Sequence, residues 1–224
     1  NSCLPPGSIT VLMHRRGCGG QLLFASGSYY DGSGDLQTHF IHIVRTGSVD
    51  WQNYILFRDY LRTHADAAGA YERLKLALAA KLPTDGGRED YVQGKQSFIR
   101  SVLRRALSDM LLGKMVDIRI DRPLGSHHPK HTDMIYSVNY GYVPHIFSAD
   151  GEEVDVYLLG VSQPVEEYKG RVIAVIHRLD DVEDKWVAAP TGVTFTPDEI
   201  EKAVHFQEQY FQHEIEMLDP NGDQ

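Results

Sequence analysis

The stretch Asp150-Gly151-Glu152-Glu153-Val154-Asp155 sets the interpretation of this sequence. Four of its six residues are acidic, and like charges this close repel one another unless a cation compensates them. If a turn leads into a strand at Val154, the side chains of Asp150, Glu152 and Asp155 can converge on one point. Carboxylate oxygens are the ligands that Mg²⁺ prefers, and bound Mg²⁺ also contacts phosphate oxygens. The stretch is therefore a candidate for a magnesium site that binds a phosphate compound.

A second acidic run, Asp180-Asp181-Val182-Glu183-Asp184-Lys185, is followed by apolar residues and so indicates a loop that leads into a strand. Two acidic loops on neighbouring strands could face each other across one site, where Lys185 adds a cation that can contact phosphate. The alternative is a solvated acidic loop, which fits either run equally well when it is taken alone. An EF-hand does not fit, because the acids do not fall at the positions that its calcium loop requires.

The charge is divided unevenly along the chain. Residues 1–110 hold 13 Lys and Arg against 10 Asp and Glu, whereas residues 111–224 hold 9 against 21. This step predicts two units with different functions. The acidic half argues against nucleic acid as a partner, because such binding depends on neutralising phosphates. No apolar run is long enough for a membrane helix. With two cysteines and no secretory signal, we expect a cytoplasmic protein.

The first half is predicted to be mostly helical, with one strand. Residues 1–34 contain two glycine-rich clusters, which predict loop or poorly ordered chain, and residues 1–30 are left without an assigned domain. The run 40–44 predicts a strand. Three helices follow, the first capped by Ser48 or Asp50, the second over about 67–82 and the third over roughly 88–112. Residues 31–110 are therefore predicted to form a small helical domain.

The pattern changes after Gly113. Val116, Ile118 and Ile120 alternate with charged residues, which predicts a half-buried strand. Further strands are predicted at 136–142, 154–160, 171–178 and 186–189. A capping box with Thr196 and Glu199 predicts one closing helix. The fold class is therefore α+β, with a small closed or curled β-barrel of the OB type and a terminal helix over residues 114–218.

Four motifs in this second half resemble soluble inorganic pyrophosphatases of the single-barrel, magnesium-dependent family. That family carries Y-P-x-N-Y-G-Y, D-G-D-P-x-D, a D-x-K loop, and H-F-x-x-x-Y on a terminal helix. The corresponding segments here are 136–142, 150–155, the loop that ends at Lys185, and 205–210. The segment 121–131 resembles a short bacterial variant. The resemblance implies a Mg²⁺-dependent enzyme that hydrolyses pyrophosphate to phosphate, and it allows a homo-oligomer.

The resemblance also implies a role for each matching residue. The first Mg²⁺ would be bound by Asp150 and Asp155, joined by Asp184 or Glu183, and Asp155 would bridge to a second ion. Further Mg²⁺ carried by the substrate would be bound by Asp121 and by Asp180 or Asp181. Glu152 would take the proton of the attacking water. The phosphates would be bound by Lys130, Tyr140, Lys185 and Tyr210.

Several positions depart from the family pattern. Glu152 replaces an aspartate, Phe211 stands where a lysine is usual, and the stretch between Lys130 and Tyr136 lacks a hairpin that carries a phosphate-binding arginine. Arg122 is a candidate to replace that arginine. These departures leave open a second interpretation, in which the barrel is a phosphate-binding or interaction module with little catalysis. The histidines at 127, 128 and 131 fit a phosphate-facing loop better than a zinc site.

Segments 38–44, 56–62, 71–75 and 91–98 resemble the later part of GrpB-like proteins, a nucleotidyltransferase-like family. The family's earlier half carries a Gly-Ser turn and a strand with paired acidic metal ligands. Neither feature occurs before His39. The resemblance implies a truncated GrpB-like domain, with a remnant of nucleotide transfer as a third candidate function.

Overall fold

The computed structural model describes residues 9–13, 22–26, 39–81, 88–148, 151–181 and 183–219. The chain divides into two compact units, Asn1–Val102 and Leu103–Gln224.

The first unit combines a small sheet with helices. Its elements are β1 (Ile9–Met13), β2 (Leu22–Ser26), β3 (His39–Ile43), α1 (Val49–Thr63), α2 (Ala65–Lys81), α3 (Arg88–Gln93) and the start of α4 (Gln96–Leu111). The strands form an antiparallel sheet in the order β1-β2-β3. The prediction of loop for residues 1–34 is therefore wrong at β1 and β2, which the glycine-rich clusters obscured in the sequence.

The helices begin close to their predicted positions. The hydroxyl of Ser48 accepts a hydrogen bond from the backbone N–H of Trp51, so Ser48 is the cap of α1. The predicted third helix is interrupted by a turn at Gly94, which separates α3 from α4. A Cβ at Gly94 would lie 2.6 Å from Leu78 Cδ2, so glycine permits the close approach to α2. Among the described helices none is long and apolar enough to cross a bilayer.

The second unit is built on a ring of strands. Its elements after α4 are β4 (Met115–Arg122), β5 (Asn139–Phe147), β6 (Glu153–Leu158), β7 (Glu167–Arg178), β8 (Lys185–Ala189), α5 (Pro197–Glu208) and β9 (His213–Met217). The sheet order is β4-β5-β6-β8-β7-β9, and β4 also pairs with β7. Hydrogen bonding therefore closes β4, β5, β6, β8 and β7 into a ring, which confirms the predicted closed barrel with a helix.

The alternation predicted for β4 is present, since Val116 and Ile118 are buried between exposed neighbours. The register of β4 against β5 shifts between Ile120 and Arg122. At this point a Cβ on Gly141 would lie 1.8 Å from the carbonyl oxygen of Arg119. Only glycine allows two backbones to approach this closely. The resulting bulge places Arg122 opposite the tyrosine-rich segment, beside the candidate site.

The remaining strands form the core. Residues on both faces of these strands are 0% exposed, and they include Val156, Tyr157, Leu158, Val172, Val175, Ile176 and Val187. Such side chains each contribute about 1.5–3 kcal/mol when they are fully buried. The predicted strand at 136 begins only at Asn139, because Tyr136 itself lies in the preceding loop while its ring enters the core.

Helix α5 begins at the predicted capping box. The side chain of Thr196 accepts from the backbone of Glu199, whose carboxylate in turn accepts from the backbone of Thr196. Ile200 and Val204 face the barrel and are 0% exposed. The helix does not close the chain as expected, because β9 follows it and pairs with β7.

Candidate active site

Parallel pairing of β6 and β8 creates the centre of the candidate site. Val156 lies opposite Trp186, so the residues that precede them, Asp155 and Lys185, lie side by side at the same end of the two strands. Lys185 Nζ lies 2.5 Å from Asp155 Oδ2, and the lysine side chain is only 3% exposed. A buried ammonium group is stable only with such compensation. The fold therefore holds a fixed cation against Asp155.

Glu183 completes this arrangement. Its Oε2 lies 2.6 Å from Lys185 Nζ, so one ammonium group contacts two carboxylates. Burial raises the pKa of Glu183 to about 7, Lys185 opposes the rise, and the charge of Asp155 adds to it. Two carboxylates that approach each other in a partly buried place favour a cation between them.

Tyr140 orients Asp155 from the neighbouring strand. Its hydroxyl donates to Asp155 Oδ2 at 2.5 Å. Burial, followed by the charge of Asp155, raises the pKa of Tyr140 well above its ordinary value. The phenol therefore stays protonated at neutral pH and remains a hydrogen-bond donor.

Asp121 and Arg122 lie at the end of β4 on the edge of this cluster. Arg122 Nη1 donates to Asp121 Oδ2 at 2.8 Å, and Arg122 pairs across the sheet with Tyr140. Burial raises the pKa of Asp121, Arg122 opposes this, and the charge of Asp155 contributes to the rise. Asp121 therefore lies within electrostatic reach of Asp155. We define Asp121, Tyr140, Asp155, Glu183 and Lys185 as the carboxylate cluster.

Asp184 does not join the carboxylate cluster, although it was one of two candidates for the third ligand. Its oxygens contact the guanidinium group of Arg104 and the ring of His177 instead. The partners of Asp184 therefore differ from those of its neighbours Glu183 and Lys185, which contact each other. Of the two candidates, only Glu183 contacts the lysine that also binds Asp155.

Asp180 and Asp181, predicted to hold further Mg²⁺, are also bonded elsewhere. The carboxylate of Asp180 accepts from the backbone N–H of Gln212 at 3.2 Å. Asp181 Oδ2 accepts from Arg178 Nη1 at 3.0 Å. Both carboxylates thus anchor the loop before Lys185, and their role as metal ligands stays a prediction.

The other predicted residues have more varied positions. Asp150 lies outside the described residues. Glu152 is exposed and directly precedes β6, so its role as proton acceptor stays a prediction. Lys130 is exposed in the loop between β4 and β5, and Tyr210 is 68% exposed after α5. Within the described part of the chain, contacts do not join Lys130 or Tyr210 to the carboxylate cluster.

The histidine-rich loop is held by its own backbone. Nδ1 of His128 lies 3.1 Å from the backbone N–H groups of both Lys130 and His131, and it accepts from them. Nδ1 of His127 lies 2.7 Å from the carbonyl oxygen of Thr132. These nitrogens shape the loop that carries Lys130.

One buried network was missed in the sequence. Glu208, 0% exposed on α5, accepts from Arg178 Nε at 2.9 Å and Nη2 at 2.7 Å. It also accepts from the hydroxyl of Tyr157 at 2.5 Å. Phe211, at the position where a lysine was expected, packs over the Arg178 guanidinium 3.5 Å away. The sequence did contain one signal of this network. Glu208 continues the spacing of the apolar residues Ile200 and Val204, so its carboxylate lies on the buried face of α5 and requires a buried cation.

The donor chemistry of the carboxylate cluster suits a hard divalent ion. Among the residues that the structure describes, no three His, Cys, Asp or Glu side chains are close enough to hold a metal ion together. Asp155 and Glu183 supply two carboxylates that contact the same ammonium group, that of Lys185. Since Mg²⁺ keeps several water ligands and needs few protein carboxylates, this pair fits it.

Comparison with known proteins separates the two halves of the chain. Residues 12–105 match the family model described as GrpB protein. Residues 114–216 match the family model described as inorganic pyrophosphatase. The two resemblances found in the sequence are therefore confirmed, each for its own half.

The matches with individual relatives cover only part of this chain and part of each relative. A UPF0157 protein of Pseudomonas aeruginosa is 43% identical over 72 residues, which span 32% of this chain and 28% of that protein. An inorganic pyrophosphatase of Saccharolobus solfataricus is 33% identical over 120 residues, or 46% of this chain and 63% of that protein. Among solved structures, the inorganic pyrophosphatase of Ehrlichia chaffeensis has 20% identity and a TM-score of 0.39, covering 48% of this chain and 88% of its own. The chain thus spans less than two thirds of these relatives by sequence.

Proposed function

We propose that the second unit hydrolyses inorganic pyrophosphate to two phosphates with the help of Mg²⁺. The observation that carries the proposal is the meeting of Asp155 and Glu183 around Lys185 in the region that matches the inorganic pyrophosphatase family. Loops that are distant in the chain supply carboxylates for a cation and a lysine for phosphate. This combination suits an anionic substrate that arrives with its own divalent ions.

Asp155 and Glu183 would hold the divalent ion, with Asp121 near enough to contribute electrostatically and Asp150 as a further predicted ligand. When bound, Mg²⁺ would neutralise the substrate and lower the pKa of the attacking water. A cation at this place would compete with Lys185 for the two carboxylates. Its binding would also favour loss of the proton from Glu183, whose pKa is about 7 without metal.

The basic and phenolic groups would then act on the phosphates. Lys185, once released from the carboxylates, can donate charge-assisted hydrogen bonds to phosphate oxygens. Tyr140 keeps Asp155 oriented through its hydroxyl. Arg122, at the edge of the cluster, would bind a phosphate group in place of the family's hairpin arginine. Such fixed donors stabilise charge that develops during phosphoryl transfer.

The reaction adds one water across the P–O–P bridge. The water oxygen bonds to one phosphorus, and the bridging oxygen leaves with the second phosphate. The water proton passes to a carboxylate, for which Glu152 remains the candidate by its position before β6. No covalent intermediate with a side chain is required.

Phosphate release by the full chain tests this proposal. We expect release from pyrophosphate with Mg²⁺ and none with a chelator. Asp155→Asn should reduce the rate on the order of 100-fold or more, because it removes a charge that organises the site. Asp117→Asn is the matched control, since Asp117 is 83% exposed on β4 and should leave the rate unchanged. A folded chain that releases no phosphate would refute the proposal.

Phosphate binding without efficient turnover is the second candidate. It is favoured by Phe211, which packs over Arg178 and stands where a lysine is usual in the family. In that case calorimetry would detect binding of pyrophosphate to the chain. Asp155→Asn would weaken this binding, and neither the wild type nor the variant would release phosphate. Release of phosphate that depends on Asp155 would decide against this candidate.

A further inference from the structure

The loop between β7 and β8, residues 179–184, brings Glu183 to the carboxylate cluster. We call it the acidic loop. Its first residue, Leu179, is hydrogen-bonded to the chain after α5, because the Leu179 N–H donates to the carbonyl oxygen of Gln212 at 2.7 Å. Its last residue, Asp184, directly precedes Lys185. The position of this loop therefore controls both Glu183 and Lys185.

A single guanidinium group contacts both ends of the acidic loop. Arg104 Nε donates to Asp184 Oδ2 at 2.9 Å, and Nη2 also contacts Asp184 Oδ1. The same Nη2 donates to the carbonyl oxygen of Arg178 at 3.1 Å, where β7 ends. Bidentate pairs of this kind fix geometry as well as charge. Arg104 thus holds the points where the loop leaves β7 and enters β8.

His177 supports the same carboxylate from β7. Its Nδ1 lies 3.0 Å from Asp184 Oδ2, and its Nε2 lies 2.7 Å from Glu216 Oε2 on β9. Asp184 is itself 8% exposed, so both of its oxygens are used within the fold. A carboxylate held from two sides gives the backbone around it little freedom.

We propose that Arg104 is a positioning residue, which holds the acidic loop so that Glu183 and Lys185 face Asp155. A catalytic effect of Arg104 rests on the proposed function. The positioning of the acidic loop by Arg104 does not depend on it. Arg104 lies in α4, in the part that belongs to the second unit. It precedes residue 114, where the match to the pyrophosphatase family begins, and falls within the match to the GrpB family. A residue outside the pyrophosphatase-matched region thus serves its candidate site.

Hydrogen exchange of the full chain measures this positioning directly. Arg104→Met removes the contacts with Asp184 and Arg178 but keeps a side chain of similar length. We expect exchange in the peptide that covers residues 179–186 to rise about 10-fold, with the barrel strands unchanged. Arg104→Lys, which keeps the charge without the bidentate geometry, should give a smaller rise. Arg105→Met is the matched control, because Arg105 is exposed on the same helix and should have no effect.

Affinity for Mn²⁺ adds a readout that a merely structural role would not change. Residues that orient metal ligands without touching the metal typically affect affinity by about 10–100-fold. We expect Arg104→Met to weaken Mn²⁺ binding at least about 10-fold, with partial recovery in Arg104→Lys and no change in Arg105→Met. The inference is overturned if exchange rises evenly through the second unit, or if the wild type binds Mn²⁺ and its affinity is equal in all variants.

These measurements separate the inference from the proposed function. A wild-type chain that releases no phosphate would end the proposed function, while local exchange that depends on Arg104 would still support the positioning. If Arg104→Met does not fold, the comparison of Arg104→Lys with Arg105→Lys decides the same question. Equal exchange of residues 179–186 in those two variants would overturn the inference.

Discussion

Replacement of Lys185 by Met tests whether the carboxylate cluster is built around a cation. Lys185 is 3% exposed and lies 2.5 Å from Asp155 and 2.6 Å from Glu183. Removal of one partner from a buried ion pair costs about 3–5 kcal/mol, because the remaining charges lose their compensation. Since Glu183 can retain a proton, we expect a loss near the lower value, about 3 kcal/mol in the free energy of unfolding with a chelator present.

Mg²⁺ should reverse most of this loss. A ligand present at about 100 times its dissociation constant stabilises the native state by about 2.7 kcal/mol. In the wild type the gain should be smaller, because Mg²⁺ must displace Lys185 from the same carboxylates. The variant is therefore expected to gain more from Mg²⁺ than the wild type, although it should lose phosphate release.

Urea unfolding followed by tryptophan fluorescence provides the assay. The chain has two tryptophans, and Trp186 is 2% exposed in β8 while Trp51 lies in α1 of the first unit. A Trp51→Phe background thus reports on the second unit alone. Lys169→Met is the control, since its 65% exposed side chain should change stability by less than about 1 kcal/mol. Equal losses with Mg²⁺ and with chelator, or a loss below about 1 kcal/mol, would refute the reasoning.

Two further predictions concern the network that supports the acidic loop. Glu208→Gln should cost about 3 kcal/mol in urea unfolding, because it leaves Arg178 buried with less compensation; a loss below about 1 kcal/mol would contradict this. Hydrogen bonding to Asp184, opposed by burial and aided by Glu216, raises the pKa of His177 above its ordinary value of 6.5. The protonated ring therefore stabilises the fold fully below pH 6.5, and this stability is lost as pH rises through the higher pKa of the native state. The free energies of unfolding of wild type and His177→Gln should differ by about 1.5 kcal/mol at pH 6, and this difference should shrink by pH 9. A difference that does not change with pH would exclude this role.

Local patterns in the sequence were sufficient for several elements. The alternation in β4 and the capping box of α5 depend on residues close together in the chain, so they could be predicted without the fold. β1 and β2 were missed because glycine-rich segments flank them. β9 was missed because a short strand after a helix has little signal until its partner β7 is known.

The site depended more on tertiary structure. The acidic runs indicated that Asp155 and Lys185 belong to one site, but their contact requires the parallel pairing of β6 with β8. The contact of Asp184 with Arg104 could not be predicted either, because Arg104 lies far away in the sequence. Spacing alone could not show that Asp181 accepts from Arg178 at the end of β7, or that Asp180 accepts from Gln212 after α5.

Binding of Mn²⁺ to the full chain, measured by the electron paramagnetic resonance of the free ion, examines the cluster without relying on turnover. The wild type should remove Mn²⁺ from solution, and Asp155→Asn or Glu183→Gln should weaken this at least about 10-fold, while Asp117→Asn should not. If the wild type leaves all Mn²⁺ free, or if it binds Mn²⁺ equally well after either carboxylate is neutralised, then these side chains do not form a divalent-cation site.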